Sequence, residues 1–231
     1  MSDQPSVLLL GIGNILWADE GFGVRCIEAL NAQYRFPDNV TLMDGGTQGI
    51  YLVQHVQAAY ILVVFDAIDY GLPPGTLKLI KDQDVPNFMG AKKMSLHQTG
   101  FQEVLATAEL LGDYPQHLLL IGVQPQELED YGGSLREPVR AQIQPAIDAA
   151  LDYLAELGIS AAKRQTPLPE AERLSPSELA LQQYEAGRPS EAQAYRKGDI
   201  RVLADSTVHY DPKPSPIDQP LSVDVDHRGK Y

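Results

Sequence analysis

Three stretches of this chain are apolar at every position instead of every second one: Val7-Leu8-Leu9-Leu10, Ile61-Leu62-Val63-Val64-Phe65 and Leu118-Leu119-Leu120-Ile121. A strand with one wet face alternates, so such runs predict strands buried on both faces, the setting of a parallel sheet between two helical layers. The segments between them supply the helices. Phe22, Cys26, Ile27 and Leu30 recur at helical spacing and predict a first helix from about Gly21 to Gln33. Ile50, Val53 and Val56 suggest a second, and longer helices are predicted from about Gly100 to Leu111 and from about Glu137 to Leu157. Val40 to Asp44 reads as a short strand closed by Gly45-Gly46. The turn chemistry of Gly71-Leu72-Pro73-Pro74-Gly75 predicts that the strand Thr76 to Ile80 runs back antiparallel beside Ile61 to Phe65. The expected class is therefore α/β, with a mostly parallel sheet covered on both faces and a working site outside the carboxyl ends of its strands. No internal repeat is visible.

Charge and proline divide the chain. Residues 1–160 hold 8 basic and 20 acidic side chains, whereas the last 71 residues hold 10 and 11. That later part also has 8 of the 17 prolines and four Tyr but no Phe or Trp, so it cannot fill a core of its own. Residues 1–160 are read as the folded domain and residues 161–231 as a Pro-rich, largely irregular extension. One short helix is expected within Ser175 to Tyr184, with Ser175 as its N-cap. The net charge of −13 repels phosphate backbones and anionic lipid, which argues against nucleic acid as a partner. The longer uncharged runs are too short for a bilayer or are broken by polar residues, so no membrane segment is expected. Cys26 is the single cysteine, which excludes an intrachain disulfide and a Cys-based metal cluster. With no basic segment opening the chain, the expected location is cytoplasmic.

Three ionisable residues fall at the expected strand ends. Glu20 follows the glycine-rich loop after the first strand, Asp66 ends the run Ile61 to Phe65, and His97 lies in the loop Lys92 to Gly100. Two carboxylates and an imidazole suit a divalent metal and leave positions open for water or substrate. Each residue also has an ordinary reading: a first-turn acid favoured by the helix dipole, a turn cap together with Asp69, and a polar loop histidine. Gly11-Ile12-Gly13-Asn14-Ile15-Leu16 begins like a dinucleotide fingerprint, with Asp44 in the ribose-binding place. Leu16 occupies the third glycine position, however, and Asp19 and Glu20 put negative charge where a pyrophosphate needs positive potential. Cys26 sits on the apolar stripe of the first helix and reads as a buried structural thiol. No serine has the Gly-x-Ser-x-Gly setting of a hydrolase elbow. Trp17, beside the Glu20 loop, reads equally as a core plug or as a contact for a partner.

Taken in order, Gly11-Ile12-Gly13-Asn14-Ile15-Leu16-Trp17-Ala18-Asp19-Glu20-Gly21-Phe22-Gly23, Asp44-Gly45-Gly46-Thr47, Asp66-Ala67 and Ser95-Leu96-His97 resemble the maturation endopeptidases of nickel-iron hydrogenases. The resemblance runs from about Val7 to Leu157 and leaves the extension uncovered. It implies a three-layer α/β/α sandwich. It also implies an enzyme that removes a short C-terminal peptide from the hydrogenase large-subunit precursor after nickel insertion. Glu20, Asp66 and His97 become the metal-contacting set, and Asp44, Gly45, Gly46 and Thr47 a substrate-recognition loop. The metal is expected to be nickel carried by the substrate, with a resident zinc as the alternative. A non-cleaving, nickel-dependent chaperone for the same precursor, and more remotely a small-molecule hydrolase or nucleotide enzyme, are the competing readings.

Overall fold

The structure, a computed structural model, describes residues 4–85 and 96–188, with the side chains of residues 96–99 excepted. Five strands form the main sheet: β1 (Val7–Ile12), β3 (Val40–Gly46), β4 (Ile61–Ala67), β5 (Leu77–Lys81) and β6 (His117–Val123), in the order β3-β1-β4-β6-β5. β1 pairs in parallel with both β3 and β4, so that Leu9 lies opposite Leu42 on one side and Val63 on the other. β4 pairs in parallel with β6, setting Val63 against Leu119. The helices are α1 (Phe22–Gln33), α2 (Val53–Ala58), α3 (Leu96–Leu111), α4 (Glu137–Arg140), α5 (Ile143–Glu156) and α6 (Leu181–Gly187).

The uniformly apolar strands explain the layering. Successive side chains on a strand point to opposite faces. Leu9, Val63, Phe65, Leu119 and Ile121 therefore share one core with Phe22, Cys26 and Ile27 of α1 and Ile147 and Leu154 of α5. Leu8, Leu10, Leu62, Val64 and Leu120 share the other with Val56 of α2 and Phe101, Val104 and Leu105 of α3. The three-layer α/β/α arrangement is the one expected. Cys26 is fully buried, and burial pushes its thiol well above the usual range, as befits a structural thiol. Among the described residues, no helix is long and apolar enough to cross a membrane.

Several details differ from the sequence reading. β5 does run antiparallel, but its neighbour is β6, with Leu79 opposite Ile121, and not β4. The free edge of β4 is taken by β6, which arrives through α3, so the proline-rich turn carries β5 past β6 to the outside of the sheet. The long helix foreseen from Glu137 to Leu157 is split into α4 and α5. Proline lacks an N–H and its ring collides with the carbonyl four residues back, so it is tolerated only in a first turn. Pro138 sits at the start of α4, and a restart at Ile143 places Pro145 in the first turn of α5. α3 begins at Leu96, so His97 belongs to a helical first turn and not to a loop.

The compact unit closes at Arg188. The sequence reading ended the folded domain at Ser160, but residues 162–188 lie along the α1 and α5 side of the sheet as a strap. Ala162–Lys163 (β7) pairs antiparallel with Tyr34–Arg35 (β2). Arg164 then satisfies the end of α1: its backbone N–H donates to the Gln33 carbonyl at 2.7 Å, and Nε donates to the Asn31 and Tyr34 carbonyls at 3.0 Å each. Ser175 is not an N-cap; its hydroxyl donates to Glu28 Oε1 at 2.5 Å, and α6 starts only at Leu181.

Candidate active site

The strand order creates one place where the crossovers part. From β1 the chain crosses through α1 on one face toward β3, and from β4 it reaches β6 through α3 on the other face. The crevice between the carboxyl ends of β1 and β4 is thus the switch point of the sheet. Glu20 and Asp66 belong to these two strands' ends.

Two glycines fix the backbone that leads to them. Gly13 has φ +129°, and a Cβ there would lie 1.8 Å from the Glu20 carbonyl oxygen, so only glycine lets the loop fold back on the turn Ala18–Gly21. Gly23, in the first turn of α1, packs so closely that a Cβ would lie 2.2 Å from the Phe65 carbonyl oxygen and 2.3 Å from that of Ile12. The first turn of α1 therefore rests directly on the backbone of β1 and β4, one residue before Asp66. Asp66 is 1% exposed, and its Oδ1 accepts the Ala67 N–H at 2.8 Å. Glu20 is half-buried in its 3-10 turn.

The Asp44 loop joins the same end of the sheet, since β1 pairs with β3 through Gly11 and Asp44, and the Gly13 N–H donates to the Gly46 carbonyl at 3.0 Å. Asp44 Oδ1 accepts the Gly46 N–H at 2.9 Å. Burial pushes the Asp44 carboxyl above its ordinary range and Glu28 adds to this, while the Gly46 N–H and Arg25 pull it back. Thr47 is exposed. His97 is placed at the amino end of α3, and its side chain lies outside the described residues. Among the described residues, no group of three metal-ligating side chains occurs. The cluster as expected needs His97, whose side chain is not among them.

Tyr70 and Gln124 were not foreseen as parts of the site. The Tyr70 hydroxyl fills the space above Gly122, 1.7 Å from where a Cβ would lie, and Gly122 is the register partner of Asp66. Burial, and then the charge of Asp66, push the Tyr70 phenol further above its usual range, so it stays protonated at neutral pH. Gln124 Oε1 accepts the N–H groups of Tyr70 and Leu72 at 2.7 and 3.1 Å, and its Nε2 donates to Asp69 Oδ1 at 3.0 Å. It staples the loop that follows Asp66.

Asp19 was read only as a negative charge beside Glu20, yet it is fully buried and holds the site loop in place. Its Oδ2 accepts the N–H groups of Gln126 and Glu127 at 2.8 and 2.9 Å, and its Oδ1 that of Arg136 at 2.6 Å. Ala18 before it takes φ +42°, a costly backbone for a residue with a Cβ, and is 1% exposed. Replacing Asp19 with Ala leaves three amides without their acceptor and is expected to cost about 3 kcal/mol or more in urea unfolding. Asp19→Asn recovers only part of this: with its oxygen turned to the Gln126 and Glu127 N–H groups, its NH2 is left facing the Arg136 N–H. Full stability in either variant would show that these bonds do not hold the loop.

The family model described as "Hydrogenase maturation protease", HycI, matches residues 24–153. The chain is 69% identical over 199 residues to the hydrogenase expression/formation protein HoxM of Azotobacter vinelandii, covering 86% of this chain and 95% of that protein. To the hydrogenase 2 maturation protease of Escherichia coli it is 40% identical over 160 residues, covering 69% of this chain and 96% of that protein. Among solved structures, the hydrogenase maturating endopeptidase HybD from E. coli superposes with a TM-score of 0.66 at 39% identity, over 69% of this chain and 98% of that one.

Proposed function

Because this chain belongs to the hydrogenase maturation protease family, we propose that it removes the C-terminal peptide from the nickel-loaded precursor of a nickel-iron hydrogenase large subunit. Glu20, Asp66 and His97 meet the metal, and Asp44, Gly45, Gly46 and Thr47 help to recognise the precursor. The observation that supports this reading is the close seating of Gly23, three residues after Glu20, on the Phe65 carbonyl one residue before Asp66, at the switch point of the sheet. The enzyme is an endopeptidase, a hydrolase.

The donor set suits a first-row divalent ion, nickel included. Asp66 is buried, and a cation offsets the cost of bringing a second carboxylate beside it. When bound, such an ion supplies Lewis acidity toward a carbonyl or a water. The chain's own groups fix the surroundings. The Ala67 N–H orients Asp66, the Asp19 bonds hold the turn that carries Glu20, and the Tyr70 phenol remains a neutral, protonated group near Asp66. A protein substrate also accounts for the apolar side chains displayed on the loops at this end of the sheet: Leu16, Tyr131, Ile50 and Tyr51 are 38%, 65%, 52% and 76% exposed. Trp17 packs edge-on against Tyr131, with ring centroids 5.2 Å apart, and so buttresses that rim and is not a core plug.

Nickel-loaded precursor should lose its C-terminal peptide in a mass measurement, while nickel-free precursor stays intact even at high enzyme concentration. Zinc added to the protease should not rescue the nickel-free form. Equal cleavage of the two forms would exclude the substrate's own nickel as the trigger and favour a resident metal.

A further inference from the structure

The segment that carries Glu20 is held from outside by the strap, at both ends. At the carboxyl end stands Arg25, in the first turns of α1 and only 3% exposed. Its guanidinium donates to the Leu179 carbonyl at 2.5 Å, pairs with Glu28 at 2.8 Å and lies 5.5 Å from the centre of the Tyr184 ring. At the amino end stands Asp19, gripped by the loop after β6 through the N–H groups of Gln126, Glu127 and Arg136. That loop is in turn tied to α6. The Tyr184 hydroxyl donates to the Gly133 carbonyl at 3.3 Å, and Glu185 accepts the Ser134 hydroxyl at 2.6 Å while pairing with Arg140. Within the loop, Gly133 N–H donates to the Asp130 carbonyl at 2.8 Å, and Arg136 pairs with Asp130 at 2.7 Å. Two adjacent residues of α6 thus reach Asp19 on one side of Glu20 and Arg25 on the other.

Burial gives these contacts weight. Arg25, Asp130 and Ser134 are each at most 5% exposed, and a buried charge or hydroxyl that loses its partner is costly. The strap is also an addition to a smaller protease body. The E. coli protease matches 160 residues, nearly its whole length, whereas HoxM of A. vinelandii matches 199, so the second has room for the strap and the first does not.

We propose that Tyr184 and Glu185 of the strap are positioning residues for Glu20, acting through the Gly133–Arg136 loop on Asp19 and through Arg25 on the first turn of α1. They touch neither substrate nor metal. They fix the turn Ala18–Gly21 against the end of β4, and the rate of the chemical step depends on that placement. The rate measurement rests on the endopeptidase reading; the placement itself does not.

The test uses the full chain with Tyr184→Ala and Glu185→Ala combined, next to Tyr184→Phe and Glu185→Gln singly. Amide hydrogen exchange without any substrate is read at Gly21 to Arg25 and at Gln126 and Glu127. The double variant should exchange at least tenfold faster there, with β4 and β6 unchanged; unchanged exchange overturns the proposal. In precursor processing, kcat should fall about tenfold with KM within twofold of wild type, and Glu185→Gln, which keeps an acceptor for Ser134, should recover most of the loss. A raised KM with unaltered kcat would make the strap a docking surface and also overturns the proposal. If the double variant does not fold, Tyr184→Phe decides, since it removes only the hydroxyl bond to Gly133: faster exchange at Gln126 and Glu127 supports the proposal and none refutes it. Wild-type protease that fails to cut nickel-loaded precursor would sink the functional assignment and leave the exchange result standing.

Discussion

Asp66→Asn should leave a folded protein that does not process its precursor. Asparagine has the same shape in a site that is 1% exposed, and its Oδ1 can still accept the Ala67 N–H, so packing is preserved. What disappears is the negative charge, and with it the carboxylate proposed to meet the metal. Losing several kcal/mol of transition-state stabilisation corresponds to a fall of about a thousandfold or more in kcat/KM. Glu20→Gln should do the same from the other side of the crevice. Processing is read as the mass loss of nickel-loaded precursor, with thermal melting beside it. A folded Asp66→Asn protein that cuts at near wild-type rate would remove Asp66 from the chemistry.

The largest loss of stability is expected from Gly23→Ala. Its new Cβ would stand 2.2 Å from the Phe65 carbonyl oxygen, 2.3 Å from the Ile12 oxygen and 2.7 Å from the Ile12 nitrogen, all of them backbone atoms of two central strands. No rotamer change relieves such a contact. Either α1 lifts from the sheet, opening the core around Phe22, Cys26 and Ile27, or the strands part. The cost should be about 3–5 kcal/mol in chemical denaturation, at the high end for overpacking. Gly49 is the fitting control: it has φ +54° but nothing within 4 Å of an added Cβ, so Gly49→Ala should cost only about 1 kcal/mol. If Gly23→Ala is the milder of the two, close approach is not why glycine stands there.

What the sequence revealed and what it hid follow from the range of the interactions. Strands buried on both faces advertise themselves locally, because every position must be apolar; β1, β4 and β6 could be read for that reason. The neighbour of β5 could not, since which strand occupies the edge of β4 depends on where the chain returns after α3. Pro138 and Pro145 did mark the break between α4 and α5, yet the apolar period continues across it and masks the signal. The places of Glu20 after β1 and of Asp66 at the end of β4 were legible from the apolar runs before them. Asp19 was not, because its partners lie 107 to 117 residues away and are backbone amides, which no residue type betrays. Arg25 likewise looks like an ordinary helix charge until Leu179 and Tyr184 arrive.

The separation of 154 positions between Arg25 and Leu179 sets an order of events during synthesis. A nascent chain leaves the ribosome amino end first, so every strand of the main sheet and both carboxylates are available before the strap that steadies them has been made. At roughly 5–20 residues per second, the strap of residues 162–188 takes on the order of 1–5 s to translate. During that interval the hydrolase has its architecture but not its clamp. If Tyr184 and Glu185 position Glu20 as proposed, full cutting power arrives only once these two residues are in place, and a chain that stops before them would be a poor protease even where it folds.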